Sequence, residues 1–264
     1  MAAEEFPTKQ WGEWRKDFEA VKDSLVGLGA KRVIHRAHHK ALGNREIEDG
    51  TGVVHDWMDD NYADSILMGL RRILDDSKGS FSFVRVLADL KKNRSLLSFE
   101  RYSKLLESTM ESYQEVSTSS PGGGAKRFVP ATVDKQGFGR MLYGTFSSDG
   151  RNLDAGRIDA DIATLRAGHS KVLDFINTII AHRKAGNTER RDGGPSPQVT
   201  WQDVDSLFDD VAALFNKYYA LVNPGVYFDF TPVLPAGFEQ AFIRMLGEEL
   251  PANQAPAPGG SRRR

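Results

Sequence analysis

The chain has 264 residues, 40% of them hydrophobic and 27% charged, enough to bury the core of one sizeable domain. Lys plus Arg number 35 against 36 Asp plus Glu, so no global field draws in nucleic acid or an anionic membrane, and such binding must come from a local patch. The lack of cysteine excludes disulfides, thiolate zinc sites and cysteine nucleophiles; with no secretory leader and no apolar run near ~18 residues, the expectation is a cytoplasmic protein with no membrane partner.

Taken in chain order, Trp11, Trp14, Phe18, Val21, Leu25 and Leu28 step by three and four behind Thr8, which predicts an amphipathic helix ended by Gly27 and Gly29. A short second helix is expected to carry Val33, Ile34, Ala37, Ala41 and Leu42. Tyr62, Ile66, Leu70 and Ile73, widened by Ala63, Leu67 and Leu74, predict a central helix over about 53–76. Ser80 or Ser82 then opens a helix from Phe83 to Leu90, and Ser98 caps one through Tyr102, Leu105 and Leu106.

From 117 to 150 the helical period fails, and this stretch reads as an irregular insertion in which Phe128-Val129 and Met141-Leu142-Tyr143 pair as a small hairpin. Ile158, Ile162, Leu165, His169, Val172, Ile176 and Ile179 restore the period and predict the longest helix of the chain. Thr200 and Asp203 form a capping box opening a helix through Leu221, and a last short helix runs from Phe238 to Leu246. The pattern predicts an all-α antiparallel bundle of about four long helices with short satellites, one domain over 1–250, and a disordered tail over 251–264.

Two stretches carry a family resemblance: Leu70-Arg71-Arg72-Ile73-Leu74-Asp75 followed by Ser80-Phe81-Ser82-Phe83, and Ile179-Ile180-Ala181-His182-Arg183. Together they resemble the landmark motifs of the abortive-infection type U branch of the HEPN superfamily (higher eukaryotes and prokaryotes nucleotide-binding). The resemblance spans roughly Trp11 to Tyr218 in element order. It implies an all-helical bundle of phage-defence or toxin-antitoxin systems: commonly a homodimer, associated with an antitoxin or other defence partner, and often a metal-independent endoribonuclease without a cofactor. In that chemistry His182 would shuttle the proton during attack of a ribose 2′-hydroxyl on the adjacent phosphate, and an arginine upstream, with four to six residues between it and the histidine, would stabilise the phosphoryl oxygens.

The chain departs from the pattern at that arginine: Asn177, Ile176 and Phe175 occupy its positions. An amide donates a hydrogen bond but lacks the guanidinium fork. The candidate catalytic set is His182, Asn177 and Arg183, with Arg166 upstream as a displaced cation. Candidate RNA contacts are Lys184 and, where the insertion interleaves cations with Phe138, Lys126, Arg127 and Arg140, with Lys135 beside them. Two readings follow: an RNA-directed ribonuclease working through His182, or a catalytically silent RNA- or nucleotide-binding or dimeric partner-binding bundle.

The histidines at 35, 38 and 39 stand apart from this motif. His35 and His39 are four residues apart on one helical face, the spacing of a metal-binding pair. With no cysteine, no third ligand nearby in sequence and Arg and Lys neighbours repelling a cation, the expectation is no metal and a solvated basic face. His169 lies on the apolar line of its helix and reads as a core-edge residue holding one hydrogen bond.

Overall fold

The computed structural model describes residues 9–42, 52–77, 81–114, 126–127, 134–184, 199–232 and 238. They form an all-α fold of eight α-helices: α1 (Lys9–Leu42), α2 (Gly52–Leu74), α3 (Phe83–Lys92), α4 (Phe99–Gln114), α5 (Lys135–Tyr143), α6 (Ala155–Gly168), α7 (Ser170–Lys184) and α8 (Trp201–Val222). Two short strands, β1 (Lys126–Arg127) and β2 (Val226–Tyr227), pair antiparallel. No helix among the described residues is long and apolar enough to cross a membrane.

The first helix exceeds its expected length. Gly27 and Gly29 do not end it: α1 runs 34 residues without a break and absorbs the expected second helix. Gly29 lies so close to the C-terminal segment that a Cβ there would meet Phe230 O at 1.9 Å, whereas Gly27 has nothing within 4 Å. The glycine serves helix-to-segment contact, and a glycine costs a helix only about 1 kcal/mol, which tertiary packing readily offsets.

The opposite correction applies to the third quarter. The expected longest helix divides at His169, whose φ of -121° and ψ of 21° close α6 before α7 begins. The backbone bonds His169 N to Leu165 O and Leu173 N to His169 O keep the two pieces nearly continuous. His169 is buried, and its Nε2 meets Asp210 Oδ2 of α8 at 2.7 Å, the single hydrogen bond expected of it.

Several local expectations hold. Ser82 caps α3, accepting from Arg85 N at 3.3 Å; Thr200 and Asp203 form the reciprocal box opening α8. The expected pairing of Phe128-Val129 with Met141-Leu142-Tyr143 does not form: Met141, Leu142 and Tyr143 are the last turn of α5, and β1 pairs instead with β2 after α8. Tyr143 is the physical reason, because its buried ring packs on Phe99 and Tyr102 and its hydroxyl donates to Leu97 O. Phe128-Val129, the helix expected over 239–246 and the tail fall outside the described residues.

The core lies where α1, α3 and α8 meet. Phe18 touches Phe83, Phe215 and Tyr219 edge-on at 5.7–6.1 Å between ring centres, a favoured aromatic arrangement. Phe228 and Phe230 extend the cluster beyond β2, so the C-terminal aromatics form a packing seam. Around it α2 packs on α1, α3 and α7, and α6 on α3, α7 and α8.

Candidate functional site

The first motif stretch meets α7 just ahead of the second. Arg71, in the last turn of α2, donates from Nη1 to Asn177 Oδ1 on α7 at 3.0 Å, across 106 residues of sequence. A groove of about 420 Å³ opens beside this contact, lined by Arg71, Asp75, Asp76, Arg166, Asp174 and Asn177 among others. Asp75 accepts from Ser77 N and Oγ just beyond α2, and Ser82 donates to Asp75 O, which ties the start of α3 to the end of α2.

The charges of the groove largely cancel. Arg166 Nη2 pairs with Asp76 Oδ2 at 2.8 Å, which commits the displaced cation expected from the sequence to a carboxylate. Arg71 is instead hydrogen-bonded to a neutral amide.

The remaining predicted residues separate. His182, Arg183 and Lys184 are the last residues of α7, with side chains outside the described set. Helical periodicity returns Lys184, seven residues on, to the stripe of Asn177 about 10 Å along the axis, and puts His182 about 140° round from it. Lys126 and Arg127 form β1, their side chains likewise outside the described set. Arg140 is exposed on α5 with its guanidinium 5.9 Å from the Phe99 ring centre, engaged with α4.

A second cluster appears at the far end of α1. His35 Nε2 and His39 Nε2 are 2.9 Å apart, and each lies 3.1 Å from Asp59 Oδ1 of α2. The buried His35 ring is stacked on Tyr62 at 3.8 Å between centres and tilted against Trp201 at 4.9 Å, which fixes its orientation. Burial, then the neighbouring His39, push its pKa down to about 4 against the pull of Asp59, so the ring is neutral at physiological pH. A cleft of about 240 Å³ opens beside the pair, lined by His35, Arg36, His39, Tyr62, Trp201 and Asp205.

The basic neighbours are neutralised. Arg32 Nε lies 2.6 Å from Asp205 Oδ1, its Nη2 donates to Asp209 Oδ2 at 2.8 Å, and Arg36 Nη2 reaches Asp205 Oδ2 at 2.5 Å. Asp59 is invisible to local reading because it comes from another helix. One signal was present nonetheless: the three-four stepping from Trp11 to Leu28 continues through Arg32, His35 and His39, placing the buried His35 on the interior stripe and the exposed His39 at its end.

Comparison with protein-family models, curated proteins and solved structures returned no match.

Proposed function

We propose that the protein acts on RNA across the α2–α7 face as an HEPN-like ribonuclease, with His182 handling the proton and Arg71 carrying the charge that the resembled family assigns to an arginine on α7. The observation that carries this reading is the Arg71–Asn177 hydrogen bond, which sets a guanidinium of the first motif stretch beside a position the resembled pattern gives to arginine. In the reaction the ribose 2′-oxygen, losing its proton to the imidazole, attacks the adjacent phosphorus; the 5′-oxygen leaves with a proton, giving a 2′,3′-cyclic phosphate and a 5′-hydroxyl. Arg71 offsets charge on the non-bridging oxygens, and Lys184 extends the grip along the strand. Phage defence or toxin–antitoxin control is the setting the resemblance implies, with a second copy or an antitoxin as partner.

The test is incubation of the purified chain with total RNA in excess EDTA. The proposal expects cleavage with cyclic-phosphate ends, lost in His182→Ala and reduced on the order of a hundredfold in Arg71→Ala, the scale of removing one charge-stabilising donor. A second reading, a silent RNA-binding or partner-binding bundle, is favoured by the same geometry in one respect: Asn177 and His182 do not share a stripe of α7. Salt-sensitive RNA binding without turnover, weakened by Arg71→Ala, would select it over catalysis; absence of both binding and cleavage would overturn the RNA assignment.

A further inference from the structure

Asp59 stands twelve residues before Arg71, about 18 Å along α2, so the histidine cluster is separate from the groove proposed to act on RNA. Its three converging atoms pose a protonation problem. A neutral imidazole carries one N–H, and three contacts of 2.9, 3.1 and 3.1 Å close the triangle of His35 Nε2, His39 Nε2 and Asp59 Oδ1. If both Nε2 atoms are protonated toward the carboxylate, the 2.9 Å edge sets N–H against N–H. If only one is protonated, another edge sets lone pair against lone pair. No arrangement of protons on neutral rings gives each edge its own hydrogen bond, whereas a single cation satisfies all three lone pairs together.

The spacing also states which cation geometry fits. An ion about 2.1 Å from each atom sees neighbouring ligands about 3 Å apart at angles of about 90°, the face of an octahedron; a tetrahedral ion would need them roughly 3.4 Å apart. We propose that His35, His39 and Asp59 form a binding site for a first-row divalent transition-metal cation, with its open coordination positions toward solvent and the neighbouring cleft. The ligand chemistry agrees: two imidazoles and one carboxylate suit the manganese-to-zinc series and not calcium or magnesium, which take oxygen sets. Preorganisation agrees too, since His35 is clamped between aromatic rings and both histidines ride one helix. The local charge is permissive, because Asp205 and Asp209 occupy Arg32 and Arg36.

The experiment uses the tag-free full chain, stripped with EDTA and dialysed, then titrated with Co2+ and separately with Zn2+. Heat of binding gives stoichiometry, and the visible absorption of bound Co2+ reports nitrogen and oxygen ligation. The expected result is one equivalent per chain, weakened in both His39→Ala and Asp59→Asn by more than the ~100-fold that loss of a group merely orienting a ligand costs. His39 is exposed at 44% of its side chain, so its truncation leaves the fold intact, which far-ultraviolet circular dichroism checks. Absence of Co2+ and Zn2+ binding to the folded wild type would overturn the proposal, as would unchanged affinity in His39→Ala.

Discussion

Two glycines two residues apart on α1 should respond to the same substitution with opposite sign. At Gly27 an added Cβ meets nothing within 4 Å, so Gly27→Ala should gain the helix-propensity difference of about 1 kcal/mol. At Gly29 the same Cβ would stand 1.9 Å from Phe230 O, 3.1 Å from Phe230 C and 3.5 Å from Phe208 Cζ. The backbone carbonyl must retreat by more than about 1 Å, an overpacking cost of about 1–3 kcal/mol that the propensity gain only partly offsets. The cost has a ceiling, because the chain can release Phe230, whose buried ring contributes about 1.5–3 kcal/mol. Gly29→Ala should therefore lose up to about 2 kcal/mol net, leaving the two variants about 1–3 kcal/mol apart. Urea unfolding followed by circular dichroism measures this directly, and an unchanged slope would show that the denatured state is the same. Equal stabilities for the two variants would refute the assignment of Gly29 to close contact with the C-terminal segment.

The buried Arg32 and its exposed partner should be unequal in a truncation experiment. Arg32→Ala removes the guanidinium from two carboxylates and its stack on Phe208, at 5.0 Å, and should cost about 2–3 kcal/mol; Asp209→Ala leaves Arg32 paired with Asp205 and should cost about 1 kcal/mol or less. Equal losses in urea unfolding would contradict that asymmetry. The Asp203 carboxyl is held down to about 2, first by Thr200 N, then by the Thr200 hydroxyl and Lys171. A depressed carboxyl stabilises the fold above its ordinary 3.8 and loses that contribution as pH falls toward 2. The stability gap between wild type and Asp203→Ala should accordingly be full at pH 6 and close between about pH 4 and 2; a gap independent of pH would exclude the capping role.

Helix type and position were legible wherever a segment carried its own information: the stepping of Tyr62, Ile66, Leu70 and Ile73, the serine cap of α3 and the Thr200–Asp203 box are local chemistry, and they appear as read. Helix ends were less legible, because a terminus depends on what lies against it. Gly29 continues a helix since Phe230 approaches it, and the break at His169 sits where the ring turns to Asp210 on α8. Met141-Leu142-Tyr143 became helical once Tyr143 found Leu97, 46 residues away.

The candidate sites divide the same way. His35 and His39 are visible as a pair because four residues make a helical turn, and the motif around Arg71 is visible as a string. Neither Asp59 beside the imidazoles nor Arg71 beside Asn177 follows from spacing, since each contact joins different helices. The sequence by itself determined the helical periods, the caps and the residue chemistry available, all set by interactions within a few residues. Only the tertiary structure decided which of those residues meet, because that depends on how the buried stripes of α1, α2, α7 and α8 pack against one another, a collective outcome of burial that no single segment encodes.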